Sequence, residues 1–413
     1  MSSFKKQSSA KGGFLFEKQG SAKGRFLFLE KKLIIIPFNF PKNWSADYIT
    51  QTANFLAKNN QVIGFLWEEA LSLKEIFINK KGFKFIEAKN GLIYFTPIHF
   101  IPLRRFHLIQ NLNLLLNIYL LKLYIFIKRF NQKKKILWLF HPDFWWLPRI
   151  FGKSYLSLYD CADFFTSLNA KEKEQLHQAE IKLLKLADKV VANSQVLYKD
   201  KKRYRQEIYL VPQGFSFEAF KKSQKLPSNS PLFKLKRPLI GYIGGINYRL
   251  DYPLLIKLAK NNPELTFLLI GPFQKDYFQN FELQLEELKK LKNLHFLENQ
   301  PRELLAEIIK YFDICLIPYD IKQEFNKFCY PMKVFEYFYV GKPTISTPIE
   351  ELKRLQPYVK IAKDAQEFTR EIRKILKTGW PKGYVQKQKE LAIENSWTNK
   401  IEKIDQILTK TTK

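Results

Sequence analysis

Short runs of branched aliphatic residues alternate along this chain with longer stretches whose apolar positions recur at helical spacing. The first pattern suits strands buried on both faces, and the second suits helices packed by one stripe. Runs at 33–37, 62–66, 92–95, 136–140, 156–159, 189–192 and 208–211 read as strands. Between them lie helical stretches at about 46–58, at 171–187 and from 195, where Asn193-Ser194 supplies a cap. The turn Pro212-Gln213-Gly214 closes this half. The segment 217–237 is rich in Lys, Ser and Pro, has weak periodicity, and reads as an interdomain linker. The alternation then restarts, with strands at 239–243, 267–270, 294–297, 314–317 and 344–347, and helices from 252 and at 283–291, 303–311 and 333–339. Two successive βαβ series predict an α/β protein with two parallel, doubly wound sheets, and ligands at the C-terminal ends of the strands. The expected division is a basic tail at 1–32, an N-terminal domain at 33–214, a linker at 215–237, a C-terminal domain at 238–385, and a final segment at 386–413 whose helix, about 400–408, packs back across both domains with Trp397 as anchor.

One stretch complicates this picture. Residues 112–130 are apolar at helical spacing, broken by Asn113, Asn117 and Lys122, preceded by Arg104-Arg105 and followed by Lys128-Arg129 and Lys133-Lys134-Lys135. It reads either as a domain helix packed on the sheet or as a basic amphipathic surface for anionic lipid. The whole chain of 413 residues carries a formal charge of +30, which calls for an acidic counterpart (nucleic acid, a membrane face or a phosphorylated substrate) unless lysine simply decorates every exposed face. At 46% hydrophobic and 15% aromatic residues it buries substantial cores and is not a disordered chain. Cys161, Cys315 and Cys329 stand far apart, which suggests neither a disulfide framework nor a zinc site and suits a reducing cytoplasm. Neither a signal peptide nor a spanning helix is expected. In the tail, Ser9-Ala-Lys-Gly-Gly-Phe-Leu-Phe-Glu17 recurs as Ser21-Ala-Lys-Gly-Arg-Phe-Leu-Phe-Leu29, too few copies for a solenoid.

The chemistry gathers behind the strands. Gly244-Gly245 follow a strand and let backbone N–H groups approach a phosphate, although a tight turn explains them equally. Arg249, just beyond, suits a diphosphate or plain solvent. Lys333 and Glu336 lie at helical spacing in a segment that ends at Gly341-Lys342-Pro343: an ammonium for phosphate and a carboxylate for paired ribose hydroxyls, or an i, i+3 ion pair. Asp160 and Asp163 follow a strand of the first half and His141 another; each is a candidate acid or base, or a structural partner. No DxD at the strand ends, HExxH, paired CxxC, Walker A loop or G-x-S-x-G elbow is present, so no metal cofactor, P-loop NTPase or hydrolase of that type is expected.

Taken in order, these segments resemble GT-B glycosyltransferases of group 1, most of all the bacterial cell-surface polysaccharide enzymes of the teichuronic acid type. The resemblance runs through Tyr159-Asp-Cys-Ala-Asp163, Ala187-Asp-Lys-Val-Val-Ala-Asn-Ser194, Val211-Pro-Gln-Gly214, Gly241-Tyr-Ile-Gly-Gly245, Ile270-Gly-Pro272, Asp313-Ile-Cys-Leu-Ile-Pro-Tyr319, and Pro331-Met-Lys-Val-Phe-Glu336 with Gly341-Lys-Pro343. It implies two Rossmann-like domains across a cleft, the first for the acceptor and the second for a nucleotide-diphosphate sugar, with transfer that retains the anomeric configuration and needs no metal. It assigns Glu336 to the ribose, Lys333 and Arg249 to the diphosphate, and Gly245 to its close approach. Phe328 stands where the family carries the first of two glutamates, which removes the carboxylate expected beside the donor sugar. The implied partners are a nucleotide-sugar and a saccharide or lipid-linked acceptor at the inner membrane face, touched by the basic region 104–135, and no nucleic acid. A nucleotide-sugar epimerase on the same fold and a non-catalytic basic binding protein are the competing readings.

Overall fold

The computed structural model describes residues 29, 31–38, 48–78, 86–89, 91–102, 106–130, 134–167, 169–216, 220–273 and 282–410. The tail duplication, apart from Leu29, lies outside them, as do Arg104, Arg105 and Lys133.

The N-terminal sheet has eight strands among the described residues: β1 Leu33–Phe38, β2 Gln61–Leu66, β3 Ile86–Lys89, β4 Leu92–Phe95, β5 Lys135–Leu139, β6 Tyr155–Cys161, β7 Lys189–Ala192 and β8 Tyr209–Leu210. Their order is β8-β7-β6-β5-β1-β2-β4-β3, parallel except for the β3–β4 hairpin at one edge. Side chains alternate strictly. Leu33 and Ile35 of β1 enter one core with Leu137 and Leu139, while Ile34, Ile36 and Phe38 enter the core on the opposite face with Ile136 and Trp138. Both faces are therefore covered, as continuous apolar runs require in a parallel sheet.

The C-terminal sheet is β9 Leu239–Ile243, β10 Thr266–Ile270, β11 Leu294–Leu297, β12 Ile314–Ile317, β13 Thr344–Ser346 and β14 Lys360–Ile361, in the order β11-β10-β9-β12-β13-β14 and wholly parallel. The order reverses at β9, so the crevice between the loops after β9 and β12 is the topological switch point, where such sheets hold ligands.

The helices that matter for the site are α1 Tyr48–Leu56, α2 His107–Ile127, α3 Ala170–Leu186, α4 Gln195–Lys201, α5 Tyr252–Lys260, α6 Lys333–Val340, α7 Lys382–Glu394 and α8 Trp397–Thr409. Local chemistry sets their ends. Ser194 accepts from Leu197 N at 3.1 Å to start α4, and Asp251 accepts from Leu254 N at 2.9 Å to start α5. Gly341 closes α6 with φ +78°, the left-handed cap that glycine adopts without Cβ strain.

The segment 220–237 is not a free linker. Phe220 and Leu232 are buried in the C-terminal core, and Phe220 packs edge-on against Phe215 with centroids 5.3 Å apart. Isolated apolar residues leave no periodic signal in sequence, yet each fills a gap in the core. The chain passes between domains at Phe215 and again at Ser396: Phe215 N donates to Asn395 O at 2.7 Å and Trp397 N to Phe215 O at 3.2 Å. Helix α7 packs on the C-terminal domain, whereas α8 returns to the N-terminal one, where Ile401, Ile404, Ile407 and Leu408 are buried beside Ile34 and Ile36. Their burial contributes on the order of 6–12 kcal/mol before chain entropy is set against it. Trp397 Nε1 donates to Gln51 Oε1 at 3.2 Å, so the crossing helix is tied to α1 as well.

Candidate active site

Three loops of the C-terminal domain converge on one lysine. Gly244 follows β9 with φ +149° and donates its N–H to Ile270 O at 2.8 Å. A Cβ at this residue would stand 2.5 Å from Lys333 Nζ, so the absence of a side chain is what lets the ammonium reach the loop. Lys333 opens α6, and its Nζ donates to the hydroxyls of Tyr242 at 2.9 Å and Tyr319 at 2.5 Å while lying 4.3 and 4.7 Å from their ring centroids. An ammonium placed at a helix N-terminus adds its charge to that of the aligned peptide dipoles. Burial pushes the Tyr319 phenol up, but the cations Lys333 and Arg249 outweigh it and hold the group below the ordinary tyrosine value. The Tyr242 phenol is pushed well above it, mainly by burial.

Arg249 is fixed in the same crevice. Its guanidinium sits 4.6 Å from the Tyr319 ring centroid and 4.7 Å from that of Phe325, and Nε donates to Asn326 Oδ1 at 3.1 Å. Asn326 is buried and donates to Arg249 O at 3.1 Å and to Asp320 O at 2.9 Å, so one amide holds both ends of the loop. Glu336, one turn along α6 from Lys333, is 13% exposed and lies 3.7 Å from Arg302 Nη2. The ion-pair alternative for Lys333 and Glu336 therefore gives way: the lysine turns to two phenols and the glutamate to an arginine.

On the facing domain the three candidates separate. Asp163, just after β6, is half-buried and takes a hydrogen bond from Tyr48. Burial raises its carboxyl above the ordinary Asp value, opposed by Arg249 across the cleft, by that Tyr48 bond and by His141. His141 Nδ1 accepts from Asp143 N at 3.3 Å, and its ring stands edge-on to Phe165 at 4.7 Å. Asp163 and His141 thus face the Arg249 side of the crevice. Asp160 does not. Its carboxylate is fully buried, lies 2.9 Å from Lys400 Nζ of α8, and accepts from Trp138 Nε1 at 3.3 Å. Asp160 lies three residues earlier, inside β6, where its side chain meets a different environment, so it is corrected from catalytic candidate to structural anchor.

Phe328 packs at a tilt against Phe164 of the N-terminal domain, with centroids 5.1 Å apart and ring planes at 55°. Lys173 and Glu324 pair across the cleft at 2.6 Å, and Glu351 accepts from Val196 N at 2.9 Å at the start of α4. Phe328, where the resemblance to group 1 enzymes leads one to expect a glutamate, thus makes a contact between domains. Sequence reasoning missed Tyr242, Asn326 and Arg302, and left Tyr319 without a role. The signal for the tyrosines was present, since both lie in quoted motifs at strand ends beside the glycines and the lysine. Nothing in sequence pointed to Asn326 or Arg302. Among the described residues, no group of three or more His, Cys, Asp or Glu is gathered as metal ligands.

Substitution of Gly244 by alanine is expected to displace the Lys333 ammonium and to destabilise the fold by roughly 1–3 kcal/mol of local strain, read as a lower midpoint of thermal unfolding. Unfolding at the temperature of the parent would show that the loop accommodates a Cβ without strain.

Residues 224–396 match the family model of glycosyl transferases group 1. The chain is 27% identical over 242 residues to the putative teichuronic acid biosynthesis glycosyltransferase TuaH of Bacillus subtilis, a match covering 55% of this chain and 59% of that protein, so it spans less than two thirds of its curated relative. Among solved structures, Anabaena Alr3699/HepE in complex with UDP and glucose superposes with TM-score 0.66 at 13% identity, over 92% of this chain and 100% of that one. An alpha,alpha-trehalose-phosphate synthase (UDP-forming) from Burkholderia vietnamiensis superposes with TM-score 0.64 at 10% identity, over 92% and 99%. At such identities the structures speak for the fold, and the fold is GT-B.

Proposed function

We propose that this chain, whose C-terminal domain is a group 1 glycosyltransferase domain on a GT-B fold, moves a sugar from a nucleotide-diphosphate sugar to a hydroxyl of a saccharide or lipid-linked acceptor. The observation that carries the reading is the placement of Lys333: at a helix N-terminus, against Gly244, between two phenols and with Arg249 beside them. Both tyrosine hydroxyls that now accept from the ammonium are exchangeable for phosphate oxygens, which accept more strongly. Arg249 takes a second oxygen, the backbone of Gly244-Gly245 approaches the diphosphate closely, and Glu336 accepts from the ribose hydroxyls.

In the transfer step the bond between the anomeric carbon and the diphosphate oxygen breaks, and its electron pair stays on the diphosphate. Lys333, Arg249 and the N-terminus of α6 stabilise that developing charge in a site where they are already oriented. The acceptor hydroxyl bonds to the anomeric carbon, and its proton passes towards Asp163, whose raised pKa makes it a better base than an exposed aspartate. We read the transfer as retaining and as independent of metal, on the resemblance to group 1 enzymes, and as a step in cell-surface polysaccharide synthesis, on the similarity to a teichuronic acid enzyme. The cytoplasm, where nucleotide-sugars are at hand, suits the three buried free thiols.

The direct test is Glu336→Ala with a panel of nucleotide-sugars. The parent is expected to release free nucleotide diphosphate and form a glycoside, and the variant to bind UDP or GDP about 10- to 100-fold more weakly through the loss of a charged hydrogen-bond acceptor. Unchanged calorimetric binding sinks the donor site. An epimerised nucleotide-sugar in place of a glycoside sinks transfer itself.

A further inference from the structure

Helix α2 has two apolar faces. Leu114, Ile118, Leu121 and Ile125 are buried on the N-terminal core. The opposite face presents Leu108 (80% exposed), Tyr119 (73%), Phe126 (66%) and Ile127 (65%), with Leu112 and Leu123 between them. The outward side of a surface helix is ordinarily polar. Here the 21-residue helix carries one charged side chain, Lys122, and its ammonium turns inward to Ile150 O at 2.9 Å.

We propose that this outward face of α2 rests in the interfacial layer of an anionic bilayer and holds the N-terminal domain against it. Length and composition would let the helix span a membrane, but its inner face is committed to the fold. Asn113 and Asn117 are buried and bonded to the backbone: Asn113 to Ile101 N and O, at 2.9 Å each, and Asn117 to Ile98 N and O at 2.8 and 2.7 Å. The helix therefore lies flat, one face in protein and the other in lipid.

Charge decides the occupant. From residue 88 to residue 142 the chain holds no Asp or Glu and nine Lys or Arg. Exposed Lys128 and Arg129 follow directly on the apolar stripe. A second copy of this chain would set that cationic region against its own like, whereas anionic headgroups complement it at about 1 kcal/mol per cation near the surface. The position also fits the reaction. Lys122 ties α2 to the helix Leu147–Phe151, so the docked face belongs to the same domain as His141 and Asp163, the acceptor half. A lipid-linked acceptor would then need no extraction. That consequence rests on the sugar-transfer reading; the docking does not.

The experiment is co-sedimentation of the full chain with vesicles of phosphatidylcholine, alone or with phosphatidylglycerol added. The parent is expected to pellet with the mixed vesicles, and Leu108→Glu/Tyr119→Glu/Phe126→Glu to lose at least ~10-fold in apparent affinity. Lys128→Glu/Arg129→Glu should remove only the part that depends on phosphatidylglycerol. Unchanged thermal unfolding shows the variants folded, and unchanged UDP titration shows the donor site untouched. A parent that stays in the supernatant with mixed vesicles overturns the proposal. So does binding that the triple substitution leaves intact, or a dimer in sedimentation velocity that this substitution dissolves.

Discussion

Lys333→Ala is expected to abolish most transfer, lowering kcat about 10²- to 10³-fold, the cost of losing one oriented group that stabilises charge in the transition state. Nucleotide diphosphate binding should weaken as well, by roughly 10-fold or more, because a charge-assisted hydrogen bond is lost. The effect is large because the ammonium is held in place before substrate arrives. Two phenols and a side-chain-free glycine define its position, and little reorganisation is left for the reaction. Lys333→Arg should rescue poorly, since a planar guanidinium does not fit where a compact ammonium sits between the two rings. Steady-state release of nucleotide diphosphate, with calorimetry of UDP or GDP, separates the catalytic loss from the binding loss. Transfer within twofold of the parent in Lys333→Ala would remove this residue from the mechanism. Tyr319 supplies an independent readout: without Lys333 its phenol loses the first of the two cations that offset burial, and its pKa should rise.

Asp160→Ala is expected to act on stability and not on chemistry. Lys400 is 1% exposed and pairs with a carboxylate of 0% exposure, so truncating the acid strands a buried ammonium with Gln213 Oε1, at 2.9 Å, as its remaining acceptor. Breaking such a pair costs about 3–5 kcal/mol. For a domain of this size that lowers the unfolding temperature by roughly 6–20 °C. Removing both charges, as in Asp160→Leu/Lys400→Met, should recover much of the loss, because a well-packed apolar pair avoids the desolvation cost of both ions. Asp163→Asn should show the reverse: unfolding near that of the parent, with slower transfer. A stable but inactive Asp160→Ala protein would return Asp160 to the active site.

Those two aspartates show where reading from the chain alone stops. They are three residues apart, both sit behind one strand, and both fit a catalytic motif by type. Their difference is made by residues far away in sequence, Lys400 for Asp160 and Arg249 for Asp163. Lys333 and Glu336 repeat the lesson. Helical spacing put them on one segment, but spacing is equally consistent with an ion pair, and only Tyr242, Tyr319 and Arg302 decide against it. The segment 220–237 misled for a different reason. Its composition is that of a linker, yet Phe220 and Leu232 are drawn into the core by partners that no local pattern records.

The sequence by itself determined the two βαβ series, both parallel sheets, most strand positions to within a residue or two, and that glycines and cations follow the strands of the second half. These depend on local periodicity and on backbone rules that hold wherever the segment ends up. Only the tertiary structure decided which carboxylate faces the cleft, that Phe328 is spent on Phe164, how α8 returns to the first domain, and that α2 turns a second apolar face outward. Each of these is a contact, or the lack of one, between segments far apart in the chain, and packing settles it where sequence spacing cannot.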